Sequence, residues 1–435
     1  MSCLRTGKIE HMFESSSVAT SGASLVMTQH ALRALALDDA PLGGSEAALI
    51  ELITSLEKLK SAAAAAQARL AAEISSRRAN AQGARGLGSE IALARRESPH
   101  KGSRLLGLAT ALVHEMPHTY RALAMGEISE WRATLMVRET AVLTLEDRAE
   151  VDRRMAGKLT SWGDKQIANK ARALGYQLDP GSAIRRVRGA ASDRRVGLRP
   201  APDTMTYLTG FLPVQAGVAC WAALTEAADR LRSAGDERSR GQIMADTLVE
   251  RITGSAATGP GLPVSLHVTM TDLALLGDSD EAAHLQGIGP IPAFVAREIV
   301  READKVWLTR LFTRPGSDEL IAMEQRGRVF TGQLRKFLIL RDDVCSTPWC
   351  DAPVRHIDHI QRHADGGPTS ADNAQGLCVT CNLTKEAPGW QTERDPDVRQ
   401  IRITTPAGVK YGEGPPPALR VDCAWTEWVV KVEAA

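Results

Sequence analysis

Hydrophobic and polar positions follow a helical period over the first part of the chain. The segment "SEAALIELITSLEKLKSAAAAAQARL" begins at Ser45, a residue type that caps helices, and continues with apolar residues near helical spacing. Its alanine run has high helix propensity. Shorter segments of the same kind follow, so the pattern predicts a helical region to about residue 179. Residues 1–44 are rich in Ser, Ala and Gly and predict a mobile tail.

The pattern changes after "DPGS" at residues 179–182. "RRVGLRPAPDTMTYLTGFLPV" predicts two short strands around a proline turn, and "LPVSLHVTMT" predicts a further strand. Helices are predicted at roughly 215–234, 239–253 and 293–304. Residues 45–325 are therefore expected to form an N-terminal domain that is helical at first and mixed α/β afterwards.

The last part of the chain predicts a small module and an extension. "TGQLRKFLILRDDVC" predicts a helix that ends at a cysteine, within a compact module at residues 331–395. Residues 396–435 are expected to form a C-terminal extension that starts with a hairpin and continues into a proline-rich stretch. The predicted fold class is mainly α with α+β parts: a helical N-terminal region, a mixed α/β middle and a C-terminal module.

Composition and charge restrict the function only weakly. Hydrophobic residues make up 43% of the chain and charged residues 24%, which is ordinary for globular proteins. The formal net charge is +1, so attraction to nucleic acid has to come from local patches. The N-terminus lacks the pattern of a signal peptide, and no apolar run is long enough for a membrane helix. We therefore expect a soluble, cytoplasmic protein.

Four of the cysteines form two short pairs. Cys345 and Cys350 belong to "CSTPWC", and Cys378 and Cys381 belong to "CVTC". Two such pairs can close a tetrahedral thiolate site around zinc, and four thiolates leave no position for a reacting water. We therefore predict a structural zinc that holds the ends of the intervening loop together. The alternative is that these are four unrelated free thiols.

Titratable side chains are concentrated between the two cysteine pairs. His356, Asp358, His359 and His363 all lie in "RHIDHIQRHADGGPTS". A carboxylate can hold a hard cation such as Mg²⁺, and an imidazole with a pKa near neutrality can take a proton from water. Together these groups suit hydrolysis of a phosphodiester, in which a metal neutralises charge and a base generates the nucleophile.

The stretch "HIDHI", with the later "GGPTSADNAQGLCVTCNLTK", resembles the HNH endonuclease motif, which folds as a ββα-metal module. The wider chain resembles an actinobacterial family in which a domain of unknown function precedes a C-terminal HNH module. Segments that carry this likeness include "GEISEWRATLMVRETAVLTLEDRAEVD", "DRRVGLRPAPDTM" and "RGQIMADTLVERITG", and it covers about residues 45–415. The resemblance implies a nuclease that uses a structural Zn²⁺ and a catalytic Mg²⁺ or Mn²⁺, with DNA as the expected substrate.

Residue by residue, the resemblance implies four roles. His359 matches the general base that activates water, and Asp358 matches a ligand of the catalytic divalent ion. Asn373 matches the central asparagine, which holds the loop so that His359 points correctly. Asn382 occupies the third motif position, which is often histidine. An amide oxygen can still bind Mg²⁺ or Mn²⁺, whereas Zn²⁺ favours nitrogen and sulfur ligands.

Two further residues carry weaker hypotheses. If residues 354–359 are extended, His356 and Asp358 face the same side, because side chains alternate along a strand. His356 is then either a group near the catalytic metal or a histidine packed beside the zinc. Lys385 lies three residues after Asn382, on the same face of a predicted helix. It is expected to contact a phosphate, or else to be an ordinary solvated lysine.

Basic residues suggest where nucleic acid is held. Arg77 to Arg104 carries seven basic and two acidic residues, and Arg185 to Arg199 carries six arginines and one aspartate. One hypothesis is that these patches bind phosphates while the C-terminal module cuts; the other is that they are ordinary solvated faces. The main rival for the whole protein is a zinc module that binds nucleic acid without catalysis. A single nuclease module per chain also makes a homodimer a hypothesis, since cutting both strands would need two copies.

Overall fold

A computed structural model describes residues 44–78, 84–256, 265–277, 279–302, 305–311, 329–394, 401–412 and 427–433. Apart from residue 44, the predicted tail at 1–44 lies outside these residues, and so does the proline-rich stretch after residue 412. The fold is mainly helical with α+β parts, as the sequence predicts. Among the described residues, no helix combines the length and apolarity that crossing a membrane would take.

The N-terminal region consists of helices joined by short turns. They are α1 (Glu46–Arg77), α2 (Leu87–Arg95), α3 (Pro99–Glu115), α4 (Pro117–Ala124), α5 (Glu130–Thr140), α6 (Leu145–Met155), α7 (Asp164–Leu178) and α8 (Pro180–Ser192). Side-chain caps start several of them: Ser129 Oγ accepts from Arg132 N at 3.2 Å, and Thr144 Oγ1 accepts from Asp147 N at 3.2 Å. Such caps satisfy backbone donors that a helix leaves unpaired.

One apolar core joins most of these helices, and α2 and α8 contribute no described residue to it. Its fully buried members include Leu112, Met116, Leu123 and Met136, which come from neighbouring helices and loops. The buried carboxylate of Asp152 is satisfied by the start of α4. It accepts hydrogen bonds from His118 N at 2.7 Å, Thr119 N at 3.0 Å and Thr119 Oγ1 at 2.5 Å. A buried carboxylate with these donors at a helix N-terminus fixes how α6 meets α4.

The middle region begins with an antiparallel hairpin of β1 (Arg195–Pro200) and β2 (Thr206–Phe211). The helices α9 (Val214–Ser233) and α10 (Arg240–Thr253) follow and pack together. The remaining elements are β3 (Ser265–Thr271), α11 (Asp272–Leu276), β4 (Ala283–Leu285), β5 (Gly289–Ile291), α12 (Ala293–Glu302) and β6 (Lys305–Leu311). The predicted strands and helices of this region are thus present, whereas α11, β4, β5 and β6 were not predicted.

The C-terminal extension contributes a strand to the middle region. β12 (Glu427–Glu433) lies between β3 and β6 in a five-stranded antiparallel sheet of order β5-β4-β3-β12-β6. Its register pairs Val430 with Val268 of β3 and with Leu308 of β6. Residues 396–435 are predicted as a C-terminal extension. The backbone pairing shows that the last strand of this extension, β12, is part of the sheet of the preceding domain.

The C-terminal module is built from a helix, two small sheets and a short helix. Its elements are α13 (Gly332–Asp342), β7 (His356–His359), β8 (Ala374–Leu377), α14 (Val379–Lys385), β9 (Gln391–Arg394), β10 (Ile401–Thr404) and β11 (Lys410–Tyr411). β7 and β8 form an antiparallel pair, and β9, β10 and β11 form a second sheet. Leu334, Phe337 and Leu338 of α13 are buried in one cluster with Ala374 of β8.

The module packs against α2 of the N-terminal region. Ser89 Oγ lies 3.1 Å from Thr384 Oγ1 on α14. Glu90 accepts a hydrogen bond from the backbone N–H of Ala407 at 3.1 Å, and its other oxygen accepts from Arg78 Nη1 at 2.5 Å. These bonds link residues far apart in sequence, so the helical region and the short helix after the cysteines form a continuous structure.

Candidate active site

The four paired cysteines meet at one point. Cys345, Cys350, Cys378 and Cys381 are all buried, and their sulfur atoms lie within 4.8 Å of one another. The Sγ of Cys350 is 3.8 Å from that of Cys378 and 3.7 Å from that of Cys381. A tetrahedral zinc with Zn–S bonds of about 2.3 Å places its sulfurs about 3.8 Å apart. The arrangement therefore fits zinc, and the alternative of four unrelated thiols is wrong.

The four thiols shift one another's pKa in opposite directions. Hydrogen bonding among the sulfurs raises the pKa of Cys350 and Cys381 and lowers that of Cys345 and Cys378. Hydrogen bonding with the Cys350 thiol lowers the pKa of Cys345 to about 7. Hydrogen bonds from the neighbouring thiols, first that of Cys345, also hold the pKa of Cys378 well below its usual range. Cys378 is in addition the N-cap of α14 and accepts from Cys381 N at 3.4 Å. Thiolates are the metal-binding form of cysteine, and a helix N-terminus favours negative charge.

His359 lies at the end of β7 and is 7% exposed. Its Nε2 forms a hydrogen bond with Thr369 Oγ1 at 3.0 Å. Its ring centroid is 4.6 Å from that of Phe330 and 5.5 Å from that of His363. These contacts fix the position and tilt of the imidazole before any substrate arrives, which a general base requires.

The loop after β7 is closed by Asn373. Its Oδ1 accepts from Gln361 N at 2.8 Å, and its Nδ2 donates to Gln361 O at 2.9 Å and to Pro368 O at 2.8 Å. Two glycines make this closure possible. Gly366 has φ +81°, and a Cβ on Gly367 would lie 2.0 Å from Gln361 O. The backbone contacts implied by the resemblance for Asn373 are therefore present, and the tight turn carries Thr369 back to His359.

We expect Asn373→Ala to lower stability by about 1–3 kcal/mol, because the substitution leaves backbone groups of the loop without their partners. Asn373→Asp is the matched variant, since it keeps the acceptor for Gln361 N and removes the two donors. Chemical unfolding followed by tryptophan fluorescence measures the free energy of unfolding of both variants and of the wild type. Equal stability of all three proteins would contradict the structural role of this side chain.

Asp358 is paired with Lys385. Lys385 Nζ lies 2.5 Å from Asp358 Oδ2 and also donates to the backbone carbonyl of His359. The lysine side chain is only 9% exposed. The expectation of a solvated lysine is thus wrong, because the ammonium is turned inward from α14 onto β7. This ion pair holds α14 against the end of β7, where Asp358 and His359 lie.

A cleft of about 280 Å³ opens beside the end of β7. It is lined by Val329, Phe330, Arg335, Arg355, His356, Ile357, Asp358 and His359. His356 is exposed, so the expectation that it packs beside the zinc is wrong. Arg335 of α13 and Arg355 are exposed as well and bring two guanidinium groups to the same cleft as the carboxylate and the imidazole.

Asn382 lies on α14, one turn before Lys385, and its backbone N donates to Cys378 O at 3.0 Å. Asn382 is not one of the described residues that line the cleft. It lies three residues before Lys385, the residue of α14 that contacts Asp358, and residues three apart are neighbours on a helix. The structure thus brings together Asp358, His359, His356 and Lys385, with Asn373 closing the loop behind them and Asn382 on the adjacent helix.

Sequence reasoning missed Thr369, Phe330 and the two arginines of the cleft. Thr369 follows Gly366, Gly367 and Pro368, and this turn signal could have placed it near His359. Phe330 and Arg335 belong to a different element, and no local pattern connects them with β7. Their place near His359 depends on how α13 packs against the β7–β8 pair.

The first of the two basic segments is largely neutralised. Arg77, Arg78, Arg95 and Lys101 form ion pairs with Glu73, Glu90, Glu130 and Glu97 respectively. Arg78, Arg95 and their partners are partly buried, so these two pairs tie helices together. In this segment the interpretation as a phosphate-binding patch is weakened, since much of its charge is already matched by carboxylates.

Comparison with known families agrees with this architecture. The family model for the domain of unknown function DUF222 matches residues 50–342, and the model for HNH endonuclease matches residues 345–387. The chain belongs to the DUF222 family and carries an HNH endonuclease domain after that domain, as the resemblance implied.

One relative has a similar span. The uncharacterized protein Rv3776 of Mycobacterium tuberculosis is 26% identical to this chain over 433 residues, covering 85% of this chain and 80% of its own length. No solved structure matches the chain.

Proposed function

We propose that the protein is a metal-dependent endonuclease that hydrolyses phosphodiester bonds of DNA. The observation that supports this most is the cleft that combines Asp358 and His359 with Arg335 and Arg355. Hydrolysis of a phosphodiester calls for a base and for positive groups where negative charge develops. The HNH match over the same residues points to the same chemistry.

In this proposal His359 takes the proton of the attacking water. The water oxygen forms a bond to phosphorus and the bond from phosphorus to the leaving oxygen breaks. The leaving oxygen takes a proton from solvent, and the imidazolium later returns its proton to solvent. Thr369 holds the ring through the hydrogen bond to Nε2. Asn373 keeps the loop that carries Thr369 in its tight conformation, so it acts by positioning.

Asp358 and Asn382 would hold the catalytic divalent cation. A carboxylate and an amide supply hard oxygen donors, which suit Mg²⁺ or Mn²⁺, while the four buried thiols suit Zn²⁺. When bound, the cation neutralises charge on the phosphate and on the leaving oxygen. Lys385 orients the carboxylate of Asp358 through their ion pair, and Arg335, Arg355 and His356 are placed to meet the phosphate.

A second function has one specific observation in its favour. The ammonium of Lys385 already neutralises Asp358, and Asn382 stands at the position that is often histidine in the motif. A zinc module that binds nucleic acid without cutting it would have the same cysteine cluster and no need for Mg²⁺ or Mn²⁺. In either case we place the protein in the cytoplasm, where thiols stay reduced.

The test is plasmid cleavage by the full chain at measured zinc content. With Mg²⁺ or Mn²⁺ we expect supercoiled plasmid to become nicked, and without an added divalent cation, at unchanged zinc content, we expect no product. Linear product that rises more steeply than protein concentration would support cutting by two copies. A folded, zinc-loaded protein that binds plasmid but leaves it intact with every metal would favour the binding module.

A further inference from the structure

The hairpin of β1 and β2 is exposed on both of its faces. All twelve residues of its two strands are exposed. Because side chains alternate along a strand, the register divides them into two sets. Arg195, Arg199, Tyr207, Thr209 and Phe211 share one face with Gly197, whereas Val196, Leu198 and Leu208 lie on the other. The ribbon therefore carries its positive charge on one face only.

Each arginine of the charged face lies over an aromatic ring directly across the hairpin. Arg199 is paired in register with Tyr207, and its guanidinium carbon lies 4.2 Å from the ring centroid. Arg195 is paired with Phe211 in the same way at 4.9 Å. An aromatic ring holds a guanidinium in place without using its N–H donors. Arg195 Nη1 donates to the backbone carbonyl of Asp193 at 3.2 Å, and its other donors stay available to an anion, as do those of Arg199.

These arginines differ from those of the first basic segment. Within the described part of the chain, neither Arg195 nor Arg199 forms an ion pair with a carboxylate, in contrast to Arg78 and Arg95. Arg188 and Arg194 lie just before the hairpin and are likewise exposed. Such a concentration of exposed, unmatched guanidinium groups raises the local potential and favours a polyanion.

The middle of the charged face is open. Gly197 lies between the two arginines on β1, and a Cβ there would meet no atom within 4 Å. At a rise of about 3.3 Å per residue the two arginines are about 13 Å apart along the strand. Thr209 lies opposite Gly197 and brings a hydroxyl donor to the gap. A backbone with regularly spaced negative charges can approach this surface without a steric obstacle.

We propose that the charged face of the β1–β2 hairpin binds the phosphodiester backbone of double-stranded DNA. Two-stranded ribbons fit the major groove, which is about 12 Å wide. The proposal rests on the proposed function for its substrate class, but it concerns an element outside the HNH domain. Part of the DUF222 domain would then hold the substrate that the HNH domain cuts.

The experiment measures binding without cleavage. The anisotropy of a fluorescent 30-base-pair DNA duplex is measured as the full chain is added without Mg²⁺ or Mn²⁺, at salt concentrations on both sides of 0.1 M and at unchanged zinc content. We expect Arg195→Ala/Arg199→Ala to weaken binding about tenfold or more near 0.1 M salt. The slope of log K against log salt should become shallower by about 2, because each phosphate contact contributes about 0.9.

Matched variants distinguish a specific role of this face of the hairpin from a general effect of removing positive charge. Arg121→Ala/Arg230→Ala removes two exposed arginines from helices elsewhere and should leave the affinity within about twofold. Gly197→Val blocks the gap without a change of charge and should weaken binding. Gly210→Val makes the same change on the opposite face, where the new Cβ would meet Leu212 at an ordinary 3.5 Å, and should not.

The outcomes distinguish this proposal from the nuclease. Loss of binding in the hairpin variants supports it even if the wild type never nicks plasmid. Unchanged affinity and slope in folded hairpin variants overturn it, and so does a wild type that binds no duplex, whatever the cleavage assay shows. Thermal unfolding of every variant verifies that the fold is retained.

Discussion

His359→Ala is expected to lower the rate of plasmid nicking by about 10²- to 10⁴-fold, the usual contribution of a general base. The substitution removes the imidazole that lies at the end of β7 and contacts Thr369 and Phe330. The zinc ligands are separate residues, so zinc content should stay the same. Single-turnover nicking with Mn²⁺ at saturating protein measures the rate of the chemical step without a contribution from binding.

The matched control is His363→Ala. His363 is a histidine of the same loop, exposed, with its ring 5.5 Å from that of His359. It should change the rate by no more than a few fold. Nicking by zinc-loaded His359→Ala at the wild-type rate would remove this residue from the mechanism. A deficit as large in His363→Ala would mean that the loop and not the base is responsible.

Cys350→Ser is expected to abolish zinc binding and to unfold the part of the C-terminal module around the cysteines, which the separate cluster of α13 with Ala374 does not include. Structural zinc in small domains contributes about 10–16 kcal/mol of apparent binding free energy, and folding of the site depends on it. The buried apolar cluster around the cysteines contains, apart from the four thiols themselves, only Leu377 and the partly buried Ala352 among the described residues. So small a cluster cannot replace the metal, because burial of one side chain contributes only about 1.5–3 kcal/mol.

Zinc content and hydrogen exchange measure this effect. In Cys350→Ser we expect the amides of β7, β8 and α14 to lose protection while those of the helical core, such as Leu112, keep it. Cys220→Ser is the control, since Cys220 is an exposed free cysteine outside the cluster. A Cys350→Ser protein that retains stoichiometric zinc and full protection in the module would contradict the structural role of the metal.

Elements whose signal is local were predictable from the sequence. The apolar spacing after Ser45 marks α1, the "RPAPDT" turn marks the hairpin, and the paired cysteines mark the metal cluster. In each case the decisive information lies within a few residues or in a specific spacing. The same holds for the loop of Asn373, where the glycines Gly366 and Gly367 carry the turn.

Features that depend on long-range packing were not predictable. Spacing places Lys385 on the face of Asn382, but only the approach of α14 to β7 turns its ammonium onto Asp358. Ser89 and Thr384 are hydrogen bonded although 295 positions separate them in the sequence, and neither carries a signal for the other. The strand at 427–433 follows a proline-rich stretch, and its sequence does not indicate that β3 and β6 are its partners.

The position of β12 has a consequence for how the chain is made. β3 and β6 are synthesised before the HNH domain, whereas the strand that joins them is synthesised after it. During synthesis β3 and β6 expose unpaired edges until β12 has been made, and unpaired strand edges promote aggregation. The HNH domain can fold around its cysteine cluster during that interval, so we expect this domain to fold earlier than the sheet of the domain that precedes it.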